Sequence, residues 1–178
     1  NPVYYKNVYN VGGHIIGYLV YNGFYGDYDG HLNDAFAYFQ GEGVTDLILD
    51  LRYNSGGLVS TATRLASMIT GQFTGEVFAK QEWNSKIMPL LSEESITNRF
   101  TTTLSEGTAI NSLNLTKLYV ITSRSTASAS ELVINGLEPY IDIIQVGTIT
   151  TGKNVGSITL YDSPNFRKEN LNPNHRYA

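Results

Sequence analysis

Two residue types in this chain could form a nucleophile and a base without histidine. One is the serine of Thr126-Ala127-Ser128-Ala129-Ser130-Glu131, and the other is the lysine of Thr151-Gly152-Lys153 further along. A serine hydroxyl becomes an effective nucleophile when a neighbouring base takes its proton, and a neutral amine can do this. At the ordinary lysine pKa of about 10.4, only about 0.04% of the amine is neutral at pH 7. The chemistry therefore needs the pKa lowered by about 3 units, which burial of the ammonium without a carboxylate partner achieves. Arginine could not take the part, because it does not lose its proton in a protein.

Two serines compete for the role. On a helix beginning near Ser128, Ser130 shares its face with Val133, Ile134 and Leu137, whereas Ser128, Glu131 and Asn135 make a polar stripe. Ser128 also lies where a strand feeds a helix N-terminus, so its hydroxyl projects from the sheet edge. The adjacent amide, that of Ala129, can stabilise negative charge there. Ser128-x-x-Glu131 ahead of an apolar run is equally a capping box, which needs no chemistry at all. The paired glycines of Asp50-Leu51-Arg52-Tyr53-Asn54-Ser55-Gly56-Gly57 are a second signal, read either as a plain tight turn or as exposed amides fit for an oxyanion hole.

Other chemistries fit less well. Gly147-Thr148-Ile149-Thr150-Thr151-Gly152-Lys153 has the G-x-x-x-x-G-K spacing of a phosphate-binding loop. However, Asn154 stands where a hydroxyl should hold magnesium, and the following residues read as a strand instead of a helix. His14, His31 and His175 open a strand, start a helix and lie in the tail, respectively. None is placed beside Ser128, and the three lack metal-ligand spacing.

The elements that must position these residues follow from periodicity. His14–Tyr21, bounded by glycines, reads as a buried strand after a Gly12-Gly13 hairpin turn. Leu32, Ala35, Phe36 and Phe39 recur at helical spacing, with Gly41 and Gly43 as the stop. Residues 46–52 predict a strand, and Val59 to Ile69 a helix. Residues 81–111 are polar and aperiodic and read as an excursion rimming the site. Leu118–Thr122 predicts a strand, Ser128–Leu137 a helix, and Ile141–Val146 and Ser157–Tyr161 two further strands. Residues 162–178 read as an extended tail. Adjacent parallel strands end on one edge of a sheet, which is how Ser128 and Lys153 would meet.

With 178 residues and 42% hydrophobic content, the expectation is a single catalytic domain with its core at about 14–161. The 12 basic and 16 acidic residues give a net charge of −4 without long runs of either sign, which argues against nucleic acid or anionic membrane as partner. Cysteine is absent, so disulfides and thiolate chemistry are excluded. No apolar run reaches the length of a membrane span.

Taken in order, Asp50-Leu51-Arg52-x-Asn54-x-Gly56-Gly57, the Thr126–Glu131 motif and Thr151-Gly152-Lys153 strongly resemble the catalytic domain of the C-terminal processing, or tail-specific, serine proteases. The resemblance implies an α/β fold of the ClpP/crotonase group, with repeated β-β-α units around a central sheet. It implies Ser128 as nucleophile, Lys153 as general base, and an oxyanion hole from the amides of Ala129 and either Gly56 or Gly57, with Gly56 preferred. Glu131 would be a supporting residue. The activity implied is cofactor-free endopeptidase cleavage of extended or unfolded protein, bound as a strand along a sheet edge. The alternative is a non-catalytic peptide- or lipid-binding module on the same fold. The chain departs from the family pattern at Ser157, where many members carry glutamine, and the PDZ module that commonly captures substrate tails is not expected within these residues. The family also implies an extracytoplasmic location, periplasmic or lipid-anchored, with a targeting segment upstream of Asn1.

Overall fold

The computed structural model describes residues 1–164, 166–169 and 171. Strands β1 (Val3–Val11) and β2 (His14–Tyr21) pair antiparallel across Gly12 and Gly13. Both glycines have positive φ, 58° and 86°, as a tight two-residue hairpin turn requires. Helix α1 (Asp29–Gly41) follows, with Leu32, Ala35, Phe36 and Phe39 fully buried, and the chain turns out of it at Gly43 with φ 71°. Strand β3 (Asp46–Asp50) then lies parallel to β2, and helix α2 (Val59–Thr70) returns across the same face.

After a two-stranded side sheet, β4 (Val77–Lys80) with β5 (Thr97–Arg99), the chain re-enters the main sheet. It does so as β6 (Lys117–Thr122), helix α4 (Ala129–Leu137) and β7 (Asp142–Gly147). The main sheet has the order β1-β2-β3-β6-β7, with β2, β3, β6 and β7 all parallel. Leu19, Leu47, Leu49, Leu118 and Val120 point from it into a core shared with Leu65, Met68, Val133 and Leu137 of the helices. Because these four strands run the same way, the turns after β3, β6 and β7 emerge at one edge. Those turns carry Gly56-Gly57, Ser128 and Lys153.

The structure departs from expectation in two stretches. Ser157–Tyr161 forms no strand, and residues 151–160 are exposed and without regular structure. Alternating β-branched residues make a strand only if a neighbour completes the hydrogen-bond ladder, and β7 is the sheet's last strand among the described residues. The second departure lies within 81–111. Its first part is an exposed arm with a short helix, α3 (Glu93–Ile96), but from Ile96 onward the segment is packed. Phe100 and Leu104 are almost fully buried, and Phe100 stacks edge-on against Phe78 and Tyr140 at 5.4 and 4.9 Å. Three apolar anchors thus hold down a segment whose overall polarity suggested a loop. Of the tail, Pro173 and His175 lie outside the described residues.

Candidate active site

Backbone bonds lace the three turns at the sheet edge together before any side-chain chemistry enters. Ala127 N–H donates to the Asn54 carbonyl at 3.1 Å, Thr151 N–H to the Thr126 carbonyl at 2.9 Å, and Leu51 N–H to the Ile121 carbonyl at 2.9 Å. The Thr126 hydroxyl donates to the Leu51 carbonyl at 2.8 Å, and the Thr151 hydroxyl to the Arg124 carbonyl at 2.9 Å. Asn54 is fully buried and ties the first turn on both sides. Its Nδ2 donates to the Tyr21 carbonyl and its Oδ1 accepts from the Gly56 N–H, each at 2.9 Å. An asparagine two residues ahead of a glycine is the signal of such a side-chain turn, and it was visible in the motif.

The first turn is also latched at its base. Asp50 is 1% exposed and receives Arg52 at both carboxylate oxygens, with the Tyr18 hydroxyl donating to Oδ2 at 2.7 Å. Burial pushes the Asp50 carboxyl up, but the Arg52 guanidinium and the Tyr18 hydroxyl outweigh it and hold the group below its ordinary range. A buried carboxylate satisfied in this way fixes the direction in which the chain leaves β3.

Ser130 is fully buried and its hydroxyl donates to the Asn54 carbonyl at 3.0 Å, so it braces the turn and is not free to attack. Ser128 is only half-buried. Its backbone sits at φ 56°, ψ −115°, far from the extended conformation of an ordinary helix cap. The Ser128 N–H donates to Glu131 Oε2 at 2.7 Å, the return half of a capping box. Such a cap stabilises a helix by ~1 kcal/mol, whereas a non-glycine residue in this conformation costs about 1–3 kcal/mol. Capping does not compensate for the strain, and a serine placed here for stability alone would adopt the relaxed geometry.

Gly56 lies directly against this turn. A Cβ added to it would stand 2.8 Å from Ser128 Cβ and 2.9 Å from both Ala127 O and Ala129 N. Its N–H, however, is already taken by Asn54 Oδ1. The N–H groups of Gly57 and Ala129 make no hydrogen bond among the described residues. Of the two glycines expected from sequence, the preferred Gly56 thus has its N–H engaged, whereas that of Gly57 is not engaged among the described residues.

Glu131 is 8% exposed and accepts four hydrogen bonds. Thr150 Oγ1 and Gly152 N–H reach Oε1 at 2.6 and 2.5 Å, while Ser128 N–H and Lys153 N–H reach Oε2 at 2.7 and 2.9 Å. Burial pushes this carboxyl up, but the Thr150 hydroxyl and the three amides together more than offset it and keep the group ionised below its usual range. The same contacts dispose of the phosphate-loop reading. The amides that would cradle a phosphate are turned onto the protein's own carboxylate.

Lys153 is brought to the site by its backbone, but its side chain is exposed. The burial expected for a basic amine is absent, and residues 154–160 that follow it are exposed as well. Ser157, in the same segment, is exposed as well. The remaining candidates lie elsewhere. His14 pairs with Asp46 at 2.8 Å at the opposite end of the sheet, and His31 stacks near Tyr28 on α1.

The chain belongs to peptidase family S41, whose model matches residues 15–163. In Staphylococcus aureus strain COL, a protein described as a CtpA-like serine protease is 26% identical over 144 residues, which cover 81% of this chain and 26% of that protein. Among solved structures, one described as an S41 protease from Bacteroides fragilis NCTC 9343 superposes with a TM-score of 0.81 at 32% identity. The match covers 90% of this chain and 42% of that one. The photosystem II D1 C-terminal processing protease shares the fold, with a TM-score of 0.57 at 24% identity, over 83% of this chain and 34% of its own. The chain thus spans 26% of the length of the curated relatives it matches. The resemblance drawn from the three motifs, and the mixed α/β fold it implied, are borne out.

Proposed function

We propose that this protein is a serine endopeptidase in which Ser128 is the nucleophile and Lys153 the general base. The observation that carries the reading is the strained backbone of Ser128, which faces Gly56 and shares an oxygen of Glu131 with the amide of Lys153. Two donors on one oxygen at these lengths put the two amide nitrogens within about 6 Å of each other. In the reaction, Ser128 Oγ attacks the scissile carbonyl carbon while Lys153 takes the hydroxyl proton. The developing oxyanion is held by the amides of Ala129 and Gly57. Lys153 then gives the proton to the leaving amine, and water cleaves the acyl-serine by the same steps in reverse.

The exposed lysine gives the substrate a second task. A peptide lying extended across the turn would cover Lys153 and desolvate its ammonium, which moves the amine toward its neutral form as the substrate binds. An extended or unfolded protein segment fits this requirement, and an extracytoplasmic location, as in the family at large, is part of the same reading. The exposure of Lys153 is also what a non-catalytic peptide- or lipid-binding module would show.

Lys153→Arg separates the two readings, since it keeps the charge and removes the proton acceptor. In the intact protein, cleavage of an unfolded protein is expected to fall by about 10²- to 10⁴-fold in this variant, as for the loss of a general base. Undiminished cleavage would remove Lys153 from the mechanism, and no cleavage by the wild type would favour the binding module.

A further inference from the structure

We infer that Glu131 is the positioning residue of this site, the side chain that ties the amide of Lys153 to that of Ser128. The inference rests on the Ser128–Lys153 reading and deepens it. Ser128 and Lys153 stand on separate turns, after β6 and β7. Thr151 is pinned to the first of these turns by its amide and its hydroxyl. The next two amides, those of Gly152 and Lys153, are held by the Glu131 carboxylate. Beyond Lys153 the chain runs exposed as far as Leu160, without regular structure. Glu131 is therefore the last fixed point before the base, and it is also bound to the amide of the nucleophile.

The stoichiometry of these bonds matters for the chemistry. A carboxylate offers about four acceptor sites, and four donors fill them here. No site is left to pair with the Lys153 ammonium. Glu131 thus holds the lysine by its backbone amide and makes no hydrogen bond to the ammonium. Its place on α4, one turn after Ser128, makes the geometry of the nucleophile and that of the base depend on a single side chain.

The test is Glu131→Gln in the intact protein, which preserves size and packing. In either orientation an amide turns its NH₂ toward two of the four donors. Either Ser128 and Lys153, or Thr150 and Gly152, then lose their acceptor. The expected result is a kcat, corrected for the fraction of titratable active sites, lowered about 10- to 100-fold with KM within about threefold, since misplacement of a reacting group by about an ångström has that effect. A purely structural role would lower the active fraction and leave kcat per active site unchanged, and that outcome overturns the inference. If Glu131→Gln does not fold, Thr150→Val removes one donor, and a several-fold drop in kcat per site is expected from it. Wild-type kcat in Thr150→Val would then count against the inference. Ser128→Ala and Lys153→Ala, measured alongside, separate the two levels of the argument. Inactive dyad variants with an unimpaired Glu131→Gln overturn this inference alone, and an active Ser128→Ala overturns both.

Discussion

Ser128→Ala is expected to lower peptide cleavage by about 10⁴-fold or more while the protein stays folded, the size of loss seen when a catalytic nucleophile is removed. The structure separates the two parts of this expectation. The hydroxyl contributes to the helix start at most as a cap, worth ~1 kcal/mol, so a denaturant melt should shift only slightly. The turn itself is maintained by Ala127 N–H on the Asn54 carbonyl, by the Ser130 hydroxyl on the same carbonyl and by Glu131 on the Ser128 amide, and none of these uses the Ser128 side chain. A variant that is folded and inactive fits a nucleophile. One that is destabilised by ~1 kcal/mol with no catalytic loss would return Ser128 to the role of a helix cap.

Gly56→Ala is expected to have the second-largest effect, although it removes no functional group. The new methyl would stand 2.8 Å from Ser128 Cβ and 2.9 Å from Ala127 O and Ala129 N, distances at which something must move. The φ of 106° adds backbone strain for any residue with a Cβ. The Gly56 amide is tied to Asn54 and its carbonyl to the Phe24 amide, so the displacement falls on Ser128 and on the Ala129 amide. We expect cleavage to fall at least about 10²-fold and stability to fall by about 1–3 kcal/mol, measured by initial rates and a denaturant melt. Gly30→Ala is the control, because a Cβ there meets nothing within 4 Å and its φ is not positive. Substitution in that helical position should leave rates unchanged and add up to about 1 kcal/mol of stability. Normal activity in Gly56→Ala would mean that the Gly56-Gly57 turn does not shape the site.

What could be read from the chain was what local periodicity encodes. The stripe of Leu32, Ala35, Phe36 and Phe39 gave α1 because those side chains all bury on one face, and His14–Tyr21 gave β2 because its inner residues, Leu19 and Tyr21, are core. Ser130 was separable from Ser128 for the same reason. Properties that depend on distant neighbours were harder to read. The alternation of Ser157–Tyr161 has the pattern of a strand, but no strand pairs with it among the described residues. The burial expected for Lys153 is likewise absent, since its side chain is exposed. The Gly56 N–H donates to Asn54 Oδ1, a contact that only the folded turn reveals. Glu131 was legible as a capping residue, whereas its hold on Thr150, Gly152 and Lys153 is a contact between turns that the sequence separates.

Activation of the Ser128 hydroxyl by Lys153 is read out by reaction with a serine-directed phosphonate, followed by identification of the modified residue. Modification is expected at Ser128 in the wild type, with rates reduced at least about 10²-fold in Lys153→Ala through loss of the general base. Absence of modification at Ser128, or equal rates with and without Lys153, would contradict this activation.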